Sequence, residues 1–167
     1  MHCTHCFSNL FPQDPRTTSI RTKSKETAWV NALLQTEAGA FHTWTWDKPL
    51  YVTYNGGCCD SKRRSDLWTL LGNTVVAVEI DERQHKAYKP DYEANRYNDL
   101  VADFTGRFVF LRINPDPYRT AHGLVDPPFG VRVTTAEQQL SAILEKLDCD
   151  QENCDLVVVH HLFYDEL

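Results

Sequence analysis

The sequence predicts an α/β domain, a mixed β-sheet flanked by helices, on three observations. Ser65 to Leu71 and Thr74 to Ile80 are strand-like runs joined by Gly72-Asn73, a two-residue hairpin signal. Tyr97, Leu100, Val101 and Phe104 repeat at helical spacing just before the apolar run Arg107 to Ile113. Leu140, Ile143, Leu144 and Leu147 repeat that spacing before a last apolar run, Leu156 to His161. Strands and helices alternating in this order favour one sheet with helices packed on it.

The elements follow in chain order. At 167 residues and 42% apolar composition the chain suits one buried core, with residues 22 to 167 as the domain. Residues 1 to 21 read as a Cys/His-containing segment and a polar linker broken by Pro12 and Pro15. Ala28, Trp29, Ala32 and Leu33 give Lys23 to about Thr36 one apolar helical face, closed by Gly39. Phe41 to Trp46 and Leu50 to Tyr54 carry strand residues, one or both forming strands before Asn55-Gly56-Gly57 breaks the pattern. Pro90 opens the next helix and Gly106 ends it. Asn114-Pro115-Asp116-Pro117 is a rigid turn after its strand, and Thr135 with Gln138 reads as a capping box for the last helix.

Val75 to Val78 and Leu156 to Val159, the longest apolar stretches, are too short to span a bilayer, and Met1 to Cys6 lacks the apolar core of a signal peptide. The expectation is an intracellular protein with no membrane partner. Its cysteines at 3, 6, 58, 59, 149 and 154 then read as thiols or metal ligands of a reducing compartment. Cys3-x-x-Cys6 has half the spacing of a structural Zn²⁺ site, to be completed by Cys149/Cys154 or Cys58/Cys59; free thiols are the alternative. The net charge of -6 resides in Glu145 to Leu167, where seven acids face one base. The rest of the chain is balanced and carries the basic clusters Arg21/Lys23/Lys25, Lys62-Arg63-Arg64 and Arg83/Lys86/Lys89, so a polyanionic partner is compatible with it.

Counting outward from a two-residue turn, Leu71 faces Thr74 and, five rungs on, Asp66 faces Glu79. Directly opposed residues share a sheet face with Cβ atoms ~5 Å apart, so two like charges placed there repel. A hard divalent cation neutralises such a pair, since Mg²⁺ accepts one or two protein carboxylates and keeps positions for water and phosphate. Surface charges satisfied by Lys62, Arg63 or Arg64 are the other explanation. The same counting sets Arg64 opposite Asp81, a potential cross-strand salt bridge. His160 and His161, adjacent on a strand, point to opposite faces and read as structural.

Arg64-x-Asp66, about a dozen residues and then Val78-Glu79-Ile80-Asp81-Glu82-x-Gln84-His85 resemble the PD-(D/E)XK superfamily of restriction-endonuclease-like nucleases. Tyr92-Glu93-x-x-Arg96, Phe108 to Asp116 and Leu162-Phe163-Tyr164-Asp165 add to the likeness, which is nearest to a group of large DNA viruses and algae related to very short patch repair endonucleases. The resemblance implies a restriction-endonuclease-like three-layer core and a Mg²⁺- or Mn²⁺-dependent endonuclease acting on DNA, in a viral protein of the host cytoplasm or nucleus and as a monomer or homodimer. It implies that Asp66 and Glu79 hold the metal, that Glu26 on the first helix assists, and that Arg64, Lys62, Lys86 and Arg96 contact substrate. The family's usual Lys two positions after the Glu is Asp81 here, an acid that cannot supply positive charge. His85 then becomes the candidate general base or phosphate-polarising group and Gln84 a water-positioning residue. A catalytically silent nuclease fold that binds nucleic acid or acts as a scaffold is the alternative reading of the same motif.

Overall fold

The computed structural model describes residues 14, 24–49, 64–85, 90–104, 106–149 and 155–166. The N-terminal segment with Cys3 and Cys6, and the run Leu50 to Tyr54, lie outside the described residues apart from Asp14. The elements are α1 (Ser24–Leu34), α2 (Glu37–Phe41), β1 (Thr45–Pro49), β2 (Arg64–Leu71) and β3 (Thr74–Ile80), then a 3-10 turn Glu82–His85. After it come α3 (Pro90–Asp103), β4 (Arg107–Ile113), the short strands β5 (Tyr118–Thr120) and β6 (Gly123–Val125), α4 (Phe129–Cys149) and β7 (Val157–Leu162).

One five-stranded sheet has the order β1-β2-β3-β4-β7. β1 is antiparallel to β2 and β2 to β3, while β4 is parallel to β3 and β7 parallel to β4. The change of direction follows from the connections: a two-residue loop returns the chain antiparallel, whereas α3 and α4 carry it back over the sheet. Gly72, first of the two loop residues, has φ 57°, as a primed hairpin turn requires. The paired register runs from Leu71↔Thr74 to Leu67↔Val78, the counting expected from that turn.

Helices cover both faces, which is why β3 is buried at all seven positions and reads as apolar without alternation. On one face Trp29, Val30 and Leu33 of α1 and Ala136, Leu140, Ile143 and Leu144 of α4 pack on Leu67, Val76, Val78, Val109 and Leu111. On the other, Leu100 and Phe104 of α3, with Tyr97 and Val101 beside them, pack on Val75, Ala77, Phe108 and Phe110. Even-numbered β3 residues therefore face α1 and α4, and odd-numbered ones face α3. Among the described residues no helix is long and apolar enough to cross a membrane.

Three expectations are corrected. Phe41 ends helix α2 and does not begin a strand; the strand starts at Thr45. Gly39 does not close α1 but lies inside α2, where Thr36 caps the helix by accepting from Gly39 N at 3.2 Å. The last helix starts at Phe129, so Thr135 is interior and its hydroxyl donates to Val131 O at 3.0 Å. Arg132 explains the early start. Its buried guanidinium donates to Pro127 O, Asn114 O and Asp116 O at 3.0–3.1 Å and pairs with Asp126, anchoring the first turn to the Asn114–Pro117 bend. Asn114 shapes that bend: its amide nitrogen donates to Asp116 O and Phe163 O, and its side-chain oxygen accepts from Asp116 N. The β5–β6 hairpin has no counterpart in the sequence reading.

Candidate active site

β2 and β3 bring Asp66 and Glu79 to one end of the sheet, one rung beyond the Leu67↔Val78 pair. Leu67 and Val78 both face α1 and α4, so Asp66 and Glu79 both face α3. Asp66 Oδ2 accepts a hydrogen bond from Ile80 N at 2.8 Å, so the carboxylate takes the place of a ladder acceptor where backbone pairing stops. Glu79 is 4% exposed. Burial pushes its carboxyl above the usual carboxylate range, although Arg96 acts in the opposite sense. Arg96 Nη2, from α3, bonds Glu79 Oε1 and also donates to Arg64 O at 3.1 Å. The counter-charge that the opposed carboxylates call for is thus present on Glu79 as a guanidinium.

Asp81 belongs to a second cluster. Its backbone N–H donates to Ile113 O at 2.8 Å, which draws it past the end of β3 toward β4. There Arg112 Nε and the Tyr164 hydroxyl both donate to Asp81 Oδ2. The same guanidinium reaches Glu93 Oε2 at 2.6 Å and Tyr97 OH at 2.8 Å through Nη1. Burial opposes the charge on Arg112, yet Asp81 and Glu93 raise its proton affinity above the ordinary arginine value. Burial and Asp81 raise Tyr164 likewise, so it stays a phenol and a hydrogen-bond donor. The expected Arg64–Asp81 salt bridge is replaced: exposed Arg64 turns to Asp47 on β1, donating to its backbone oxygen at 3.3 Å with Asp47 Oδ1 at 3.7 Å.

The parallel registers place Glu79, Arg112 and His161 side by side across β3, β4 and β7. His161 stands edge-on to Tyr164 with ring centroids 4.6 Å apart. Desolvation, with Arg112 nearby, lowers its pKa below the usual histidine value.

The other sequence candidates scatter. Gln84 and Asp165 are locked reciprocally, Nε2 to Oδ1 at 3.0 Å and Asp165 N to Gln84 Oε1 at 3.0 Å, which ties the 3-10 turn to the C-terminal segment. Arg83 and Gln84 take φ of 57° and 54°, and Asp116 Oδ2 accepts Arg83 N at 2.7 Å, so this bend is held from two sides. His85 ends the turn by its backbone; its side chain, Lys86 and Lys62 lie outside the described residues. Glu26 sits in the first turn of α1, on the other layer of the sheet. Sequence reasoning placed Tyr97 on the apolar face of its helix and Tyr164 and Arg112 within the family-like runs, and read His161 as structural. Arg112 carries a legible signal, a lone charge in the apolar run Phe108 to Ile113 that demands a buried partner.

Among the described residues no three His, Cys, Asp or Glu side chains converge as a metal-binding group. The Asp66 and Glu79 carboxylates and the Arg64 carbonyl are nonetheless the hard oxygen donors that a cation keeping most of its waters accepts, provided Arg96 yields Glu79.

No family model, curated protein or solved structure matches this chain. The site rests on its own geometry.

Proposed function

We propose that the protein is a metal-dependent endonuclease of the PD-(D/E)XK type that hydrolyses phosphodiester bonds of DNA, with Asp66 and Glu79 holding Mg²⁺ or Mn²⁺. The observation that carries this reading is the placement of Asp66 and Glu79 on one face of adjacent antiparallel strands, at the end of the sheet. The sheet and its two helical layers fit the restriction-endonuclease-like core. A bound divalent ion supplies an activated water and offsets negative charge on the phosphate.

This chain's residues have distinct tasks in that reaction. Asp66 and Glu79 orient the ion from two strands. Arg96 and Arg64, with Lys62 and Lys86, meet the phosphate backbone, contacts that give affinity but carry no sequence information. Asp81, in the position of the family's Lys, is neutralised by Arg112 on the neighbouring strand and held there by Tyr164. His85 is the general base, and Gln84 acts on it by fixing the 3-10 turn against Asp165.

One observation favours a second reading, a silent nuclease fold that binds nucleic acid or a protein partner: Glu79 and Asp81 already have arginine partners. Plasmid nicking decides between them. Protein with Mg²⁺ or Mn²⁺ should nick or linearise supercoiled DNA, and Asp66→Ala and Glu79→Ala should not. Equal nicking by all three points to contamination and ends the proposal; no nicking with DNA still retarded in a gel leaves the silent fold. One site nicks one strand, so coupled double-strand cutting would indicate a homodimer.

A further inference from the structure

We propose that Arg96 is a built-in counter-ion standing in the cation position of this site, and that a divalent metal ion and Arg96 compete for Glu79. The inference rests on the reading of Asp66 and Glu79 as metal-holding residues and says how that site survives without metal. Arg96 Nη2 lies between a carboxylate oxygen of Glu79 and the backbone oxygen of Arg64, the last at 3.1 Å. A carboxylate and a backbone carbonyl are also the oxygen types a hard cation collects. One nitrogen therefore uses two of the three oxygen donors that a metal ion would use, Asp66 being the third.

Burial makes a stand-in necessary. The Glu79 side chain is 6% exposed, and an ionised carboxylate that deep is strongly penalised unless a cation faces it. A site that waited for metal with no internal counter-charge would weaken the sheet end it is built on.

Arg96 and Arg112 differ in how firmly they are held. Arg112 engages Asp81, Glu93 and Tyr97 through two nitrogens and is enclosed between β4 and α3. Arg96 binds through a single terminal nitrogen at the end of a long side chain and, among the described residues, donates to two acceptors. It is the arginine that can leave. A phosphate diester offers the planar guanidinium a bidentate alternative, so substrate and metal favour the same displaced position.

The test uses thermal unfolding of the full chain as wild type, Arg96→Gln and the double variant Arg96→Gln/Glu79→Gln, each in EDTA and in Mn²⁺. Ligand that binds only the folded state raises its melting temperature according to concentration over Kd. Arg96→Gln should melt below wild type in EDTA and gain several degrees more from Mn²⁺ than wild type does, and the double variant should lose that gain. Mn²⁺ titration followed by electron paramagnetic resonance should show affinity at least about tenfold tighter in Arg96→Gln than in wild type, a tenfold change being about 1.4 kcal/mol. If Arg96→Gln fails to fold in EDTA, folding restored by Mn²⁺ supports competition and folding not restored overturns it. Equal Mn²⁺ responses in wild type and Arg96→Gln, lost in the double variant, overturn the competition while leaving the metal site standing. No response in any variant overturns both.

Discussion

Arg112 stands beside Glu79 across the parallel rungs of β4 and β3, yet gives its guanidinium to Asp81, two residues further along. Glu79 is already paired from the helix side by Arg96, and Asp81 is drawn to β4 by its bond to Ile113 O. The result is a buried staple joining β3, β4, α3 and the C-terminal segment through Asp81, Arg112, Glu93 and Tyr164.

Removing one partner from such a buried pair leaves the other charge uncompensated. Arg112→Met should therefore cost about 3–5 kcal/mol in urea unfolding. Adding Asp81→Asn should restore part of the loss, because the stranded charge goes with it. A loss under about 1 kcal/mol for Arg112→Met would contradict the buried staple.

Glu79 makes stability depend on pH in a direction opposite to most carboxylates. Burial raises its folded-state pKa above the unfolded value, so the folded protein holds that proton more tightly. Its contribution is fully present below the ordinary glutamate pKa and is lost as pH rises through the folded value. In EDTA, the stability of wild type relative to Glu79→Gln should fall with rising pH above about 4.5. A difference that grows over that range would show that Arg96 outweighs desolvation.

His161 has the reverse dependence. Desolvation and Arg112 lower its folded-state pKa, so its contribution is present above pH 6.5 and is lost as pH falls through the folded value. His161→Phe keeps an aromatic ring against Tyr164 and removes the titration. Its melting temperature should drop less than wild type's between neutral pH and pH 5, measured in one buffer series.

Gly39 and Gly72 separate two reasons for glycine. A Cβ at Gly39 would lie 1.9 Å from Leu33 O and 2.7 Å from Leu33 C, backbone atoms that can yield only by moving α2 away from the end of α1. Gly39→Ala should cost about 1–3 kcal/mol or more through overpacking. At Gly72 nothing lies within 4 Å and only the φ of 57° resists a side chain, a cost of about 1–2 kcal/mol. Chemical denaturation of the two variants should show Gly39→Ala as the more damaging.

How much was legible depended on how far apart in the chain the interacting residues lie. Gly72-Asn73 leaves its flanking strands one register, so the pairing down to Leu67↔Val78 and the shared face of Asp66 and Glu79 could be counted from the turn. The spacing of Tyr97, Leu100, Val101 and Phe104 likewise announced α3, and the apolar run from Phe108 marked β4, because those signals are local periodicities. Thr135-x-x-Gln138 misled for the same reason. It satisfies a local capping pattern, while Arg132, bonded to the distant Asn114 bend, starts the helix about two turns earlier. Tertiary structure alone decided which cation meets which acid. Arg96 reaches Glu79 only because α3 crosses over β3, and Arg112 reaches Asp81 only because β4 lies parallel to β3 in one register. The sequence by itself determined where the two candidate metal-holding carboxylates stand; the packing of a helix and a strand that follow them determined the charges that surround them, since contacts across a crossover leave no period in the chain.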